Sequence, residues 1–178
     1  MRYLLIGWLA FISAGCSVTI KQPALHDFGL PVSAAVQGRT SVNVNAPTWL
    51  WDNRIRYRLL FASPSQVRFY GLDRWIASPP ELLEQLLAAS GKVQDYALII
   101  RLQDFEQQFD ASDRARVVLR FSVEAYSDNK KIGAQEFYLQ QPTKTPDAAG
   151  AISGFADLAQ QAAGKIQDWL AGLPGRRK

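Results

Sequence analysis

Polar and apolar positions alternate one by one along most of this chain, and in only two stretches do they switch to the three-and-four spacing of a helix. Residues 41–46 place Val42 and Val44 on one face, which predicts a half-buried strand that Pro47 ends. Residues 54–60 set Arg54, Arg56 and Arg58 against Ile55, Tyr57 and Leu59. Residues 66–70 repeat the alternation after the turn Ser63-Pro64-Ser65, so the two segments form a hairpin. Three longer strands follow. Residues 96–105 open with an apolar run, as in a strand covered on both faces. Residues 114–125 and 132–140 follow, joined by the turn 127–130, and complete an antiparallel meander.

The helical stretches have clear starts. Ser78 can cap, Pro79 fits the first helical position, and Glu81 completes a capping box ahead of Leu82, Leu83, Leu86 and Leu87, with Gly91 as the stop. Thr145-Pro146-Asp147 opens the second helix. Ile152, Phe155, Ala159, Ala162, Ile166 and Trp169 form its stripe, and Gly172 and Pro174 close it. Strands interrupted by one helix and closed by another predict a single-domain α+β fold, a mostly antiparallel sheet with two helices packed on one face.

The first residues follow a different logic. Arg2 precedes an apolar segment, residues 3–14, whose helical length of about 18 Å falls short of a bilayer core of roughly 30 Å. Residues 1–15 therefore read as an export signal. Ser13-Ala14-Gly15-Cys16 resembles a lipobox, although Ser13 stands where leucine is usual, and Cys16 is the only cysteine. It is the expected lipidation site, and several acyl chains on it would make a stable anchor where one would not. An Asp after the cysteine resembles a retention signal for the inner membrane of Gram-negative cells, so Ser17 points to the outer membrane. Residues 16–40 read as the lipidated N-terminus, a tether and an edge strand over 25–30. Residues 41–173 form the folded domain and 174–178 a basic tail.

Composition narrows the chemistry. Without Arg2 the formal charge falls to about +3, too mild for nucleic acid to be the expected partner of an exported chain. With Cys16 acylated, neither a disulfide framework nor a cysteine metal site remains. The only histidine, His26, lies in the tether as a surface or edge-strand residue, and no Gly-x-Ser-x-Gly occurs, so no nucleophilic triad is expected. Asp104, Glu106, Asp110 and Asp113 cluster without a glycine between them, and read as a solvated hairpin turn rather than a calcium loop or an acid–base pair. Phosphate-cradling, dinucleotide and His-Glu-x-x-His motifs are missing, so neither metal nor cofactor is expected and the chain is read as a non-enzyme.

Two groups of residues remain as candidates for binding. Arg54, Arg56, Arg58 and Arg68 form either a basic face for phospholipid head groups or an acidic partner, or a solvated face that guards the sheet against edge pairing. Trp49, Trp51, Tyr70 and Trp75 gather around the same hairpin. Trp49 and Trp51 lie in the loop begun by Pro47, where interface anchoring competes with burial in the core.

Several features together resemble the ABC-type transport auxiliary lipoprotein family, the PqiC-like outer-membrane lipoproteins of MCE/ABC lipid-transport systems. They are Cys16, the strand around His26-Asp27-Phe28-Gly29-Leu30, residues 42–50 with Pro47 and the aromatic loop, Tyr70 through Arg74-Trp75, the Ser78-Pro79-Pro80 helix, Asp95-Tyr96, Asp104-Phe105 and the last helix. The likeness covers nearly all of the chain after Cys16. His26-Asp27-Phe28 departs from the paired tyrosines usual there, and Trp49-Leu50-Trp51 is more aromatic than usual. The resemblance implies that residues 41–173 are a non-enzymatic auxiliary domain, held at the periplasmic face of the outer membrane through acyl chains on Cys16. It implies docking to a protein with a mammalian-cell-entry (MCE) domain and to its ABC permease and ATPase, and it allows a homo-oligomer. Trp49, Trp51, Arg54, Arg56, Arg68 and Trp75 are the partner-binding candidates. A carrier that itself holds a hydrophobic molecule between sheet and helices is the alternative, and it predicts a deep apolar pocket.

Overall fold

A computed structural model describes residues 21–29, 41–89 and 96–173. Cys16 with its lipobox, the tether residues 30–40, the helix stop at Gly91 and the basic tail 174–178 lie outside the described residues. The described chain is an α+β domain. One seven-stranded sheet comprises β1 (Ala24–His26), β2 (Val42–Asn45), β3 (Arg54–Leu59), β4 (Val67–Trp75), β5 (Ala97–Ala111), β6 (Arg114–Ser127) and β7 (Lys130–Pro142). Helices α1 (Pro79–Ala89) and α2 (Ala148–Ala171) bury their leucine and alanine stripes in a single core with the sheet.

The meander β5–β6–β7 is antiparallel and long, and so is the β3–β4 hairpin. The turn from β6 to β7 places Asp128 and Asn129 at φ of 50° and 62°, left-handed values that Asp and Asn accept more readily than other non-glycine residues. The mostly antiparallel sheet has three short parallel additions, β1 on β4, β2 on β5 and β3 on β5. These pairings join segments distant in the sequence, which alternation alone does not reveal.

The helix starts follow the expected chemistry. The Glu81 carboxylate accepts from the Ser78 amide at 2.9 Å and from its hydroxyl at 2.6 Å, and these bonds hold the carboxyl below its ordinary range. Asp147 caps α2 by accepting from the Gly150 amide at 2.9 Å, while Thr145 donates its hydroxyl to the same oxygen. Gly150 is required for a second reason: a Cβ there would collide with the Thr145 carbonyl.

Between sheet and helices the centre is aromatic. Phe105 stacks on Phe155 with ring centroids 3.9 Å apart, and Trp75 meets Phe28, Phe105 and Phe155 edge-on. The Tyr70 hydroxyl donates to Gln107 Oε1 at 2.6 Å, and Gln107 Nε2 donates to the Asp147 carbonyl, which ties β4 and β5 to the start of α2. Burial pushes the Tyr70 phenol far above its ordinary range, so it stays a neutral donor.

Candidate binding cleft

The opposite face of the sheet carries the cleft. β5 pairs along its whole length with β6, but its other edge is shared: β2 pairs with residues 98–101 and β3 with residues 107–109. Between these contacts the sheet splits. The chain crosses the split as a 3-10 turn, Thr48–Leu50, closed by the Leu50 amide donating to the Pro47 carbonyl at 2.9 Å. Leu50 is driven into the core and anchors the turn, which leaves Trp49 and Trp51 outside. The resulting cleft has a volume of about 570 Å³. Trp49 stands on its wall, and Arg54, Arg56, Arg58, Phe69, Asp104 and Glu106 are among the residues around it.

The arginine row alternates as expected, but it is not a free basic surface. Arg54 pairs with Asp52 and lies 3.8 Å over the Phe69 ring. Arg58 reaches Glu106 through Nε at 3.1 Å and Nη2 at 3.2 Å, and spends Nη1 on the Pro64 carbonyl. Arg56 lies 4.0 Å from the same carboxylate, and its Nε is buried without a hydrogen bond. Burial pulls the Arg56 guanidinium below its ordinary range, opposed by the charge of Glu106. Three arginines thus face Asp52, Asp104 and Glu106, and the cleft is polar yet formally neutral.

The structure corrects three sequence expectations. Arg68 does not join the row: Phe69 is the residue opposite Arg56, so Arg68 points to the other face, where its guanidinium donates to Gln66. Trp75 is 1% exposed and sits among Phe28, Phe105 and Phe155, so it cannot meet a partner, whereas Trp49 is 61% exposed. Asp104, Glu106 and Asp110 do not form a solvated turn, because β5 runs on to Ala111 and buries Glu106 beneath the arginines. His26 lies on the edge strand and bonds Asp73 at 2.9 Å. Among the described residues no group of His, Cys, Asp and Glu is placed to hold a metal ion.

Sequence reading missed Glu106 as the hub of the cleft. The available signal was the two-residue spacing of Asp104 and Glu106, which matches the spacing of the arginine row and supplies its counter-charges. Asp52 and Phe69 were equally unmarked: Asp52 pairs locally with Arg54 two residues on, and Phe69 meets the arginine row only through the pairing of β3 with β4.

Solved structures share this fold. Protein XCC0632 from Xanthomonas campestris, of the family-model DUF330, matches at a TM-score of 0.64 over 83% of this chain and 92% of its own, with 18% identity. The likeness is one of fold. An uncharacterized protein matches at a TM-score of 0.66 over 84% of this chain and 99% of its own, with 15% identity. No family model matches the sequence, and no curated protein matches it.

Replacing Trp49 and Trp51 together by alanine is expected to change unfolding free energy by less than about 1 kcal/mol, because Trp49 is 61% and Trp51 46% exposed and the bond from Trp51 Nε1 to the Ala46 carbonyl is open to water. Thermal unfolding followed by circular dichroism checks this. A larger loss would make the turn a part of the core.

Proposed function

We propose that the chain is a lipid-anchored, non-enzymatic auxiliary component of an ABC/MCE-type transport system, and that it acts as a docking module at the outer membrane. One observation carries the reading: an exposed aromatic turn stands over a neutral polar cleft, on the face of the sheet opposite a filled aromatic core. Solvated tryptophans beside arginines are the residue types that anchor protein interfaces. The carrier alternative needs an apolar cavity between sheet and helices, and there Phe28, Trp75, Phe105 and Phe155 pack against one another. An MCE-domain protein is the proposed occupant of the cleft, with the permease and ATPase beyond it. The likeness of fold to the DUF330 structure is compatible with this reading.

Attachment is assigned to acyl chains on Cys16. Among the described residues no helix is long and apolar enough to cross a membrane. Cys16→Ala is expected to move the protein from the outer-membrane fraction to the soluble periplasmic fraction, read by fractionation and immunoblotting. Unchanged membrane association would sink the anchor. Docking is tested separately, by co-isolation with an MCE-domain protein of the same host: Trp49→Ala with Trp51→Ala should abolish recovery while wild-type stability is kept.

A further inference from the structure

The edge of the sheet beside the cleft carries a second surface, built from β1 and β4. Leu25, Leu72 and Ile76 are 60%, 50% and 61% exposed, among the largest exposures of apolar side chains among the described residues. They belong together. Trp75 points into the core, so Arg74 points the other way, and the exposed Leu72 and Ile76 lie two residues to either side of Arg74 along the chain. β1 lies parallel to β4 with Leu25 in register with Arg74, which sets Leu25 beside it on the same face. Three exposed aliphatic side chains therefore lie near one arginine, whose neighbour on β3 is Arg54.

That arginine is unspent. Arg74 makes no hydrogen bond or ion pair among the described residues, and its Nε is buried without a partner. Its charge acts on Asp52, whose carboxyl is already held low by Arg54. A guanidinium with free donors beside exposed aliphatic side chains matches the boundary between phospholipid phosphates and acyl chains: the cation takes the phosphate, and the aliphatic groups leave water. Chain length points to the same occupant. Ala24 opens β1 eight residues after Cys16, so the edge strand lies at most about 28 Å along the chain from the assigned anchor.

We propose that the β1–β4 edge is a membrane-contacting surface that rests on a phospholipid bilayer, with Arg74 on headgroup phosphate and Leu25, Leu72 and Ile76 at the acyl boundary. This deepens the anchored-module reading and rests on it for the acyl attachment. The surface shares the face of the sheet that carries the cleft, one strand beyond its arginine row, because Arg74 pairs with Arg54.

The test uses the full-length acylated protein in vesicles of phosphatidylglycerol and phosphatidylcholine. A thiol is introduced singly as Leu25→Cys, Leu72→Cys or, on the tip of the β3–β4 hairpin, Phe61→Cys, and labelled with a membrane-impermeant maleimide. Labelling at 25 and 72 is expected to be at least about tenfold slower than at 61, and Arg74→Glu in the same chain should remove most of that protection. Equal rates at the three positions would overturn the proposal. So would protection that rises with protein density and ignores lipid charge, which would assign the patch to a second copy of the chain. If the wild-type protein is itself labelled at Cys16, the anchoring reading fails. The surface is then judged by co-flotation with phosphatidylglycerol vesicles: binding that Arg74→Glu with Leu72→Asp abolishes supports it, and binding unchanged by those substitutions sinks it.

Discussion

Trp75→Ala is expected to destabilise the domain by about 3–5 kcal/mol, the usual cost of removing a fully enclosed aromatic side chain. The ring is 1% exposed and has three aromatic neighbours with centroids 5.4–5.9 Å away. Its loss removes apolar area from the core and leaves a cavity between β1, β4, β5 and α2 that rigid strands cannot collapse to fill. For a chain of this size each kcal/mol lowers the melting temperature by roughly 2–4 °C, so the fall is large and simple to read by circular dichroism. Trp49→Ala is the control, because the two substitutions remove the same side chain from opposite environments. A Trp75→Ala protein that melts with the wild type would mean that this centre does not hold the fold.

That contrast marks where the sequence was legible. Strand alternation and helix capping depend on neighbours in the chain, so the β3–β4 hairpin, the β5–β6–β7 meander, the Ser78 and Asp147 helix starts and the two buried helix stripes were all readable. Trp75 and Trp49 looked alike because each is an aromatic residue near the same hairpin, and only the third dimension separates them. Ile55 and Trp75 share the helix-side face, while Trp49 rides on a turn pinned by Leu50. Arg68 was misplaced by a related failure: alternation fixes the faces within a strand, but the bulge and register between strands decide which faces coincide. Nor did the split edge of β5 have a local signature. It arises because β2 and β3, separated by the aromatic turn, both add in parallel to one strand.

Glu106→Ala should cost a similar amount, about 3–5 kcal/mol, through electrostatics instead of packing. The Glu106 side chain is 8% exposed and accepts from Arg58 twice and from Gln108 once, with Arg56 4.0 Å away and its side chain 11% exposed. Removing the carboxylate leaves two guanidinium groups half or more enclosed with no counter-charge nearer than Asp104 and Asp52. The penalty is the desolvation that the carboxylate now offsets. Glu106→Gln keeps the shape and the possibility of hydrogen bonds, so it should fall between wild type and alanine, which separates charge from volume. Replacing Glu106 and Arg58 together by methionine should recover part of the loss, with a coupling of about 0.5–3 kcal/mol in a double-mutant cycle. Recovery stays incomplete because Arg56 still lacks its partner. Urea denaturation of wild type, Glu106→Met, Arg58→Met and the double variant measures the cycle. A Glu106→Ala loss under about 1 kcal/mol would mean that water already solvates these arginines, and the cleft would then be an open, hydrated groove in place of a preorganised one.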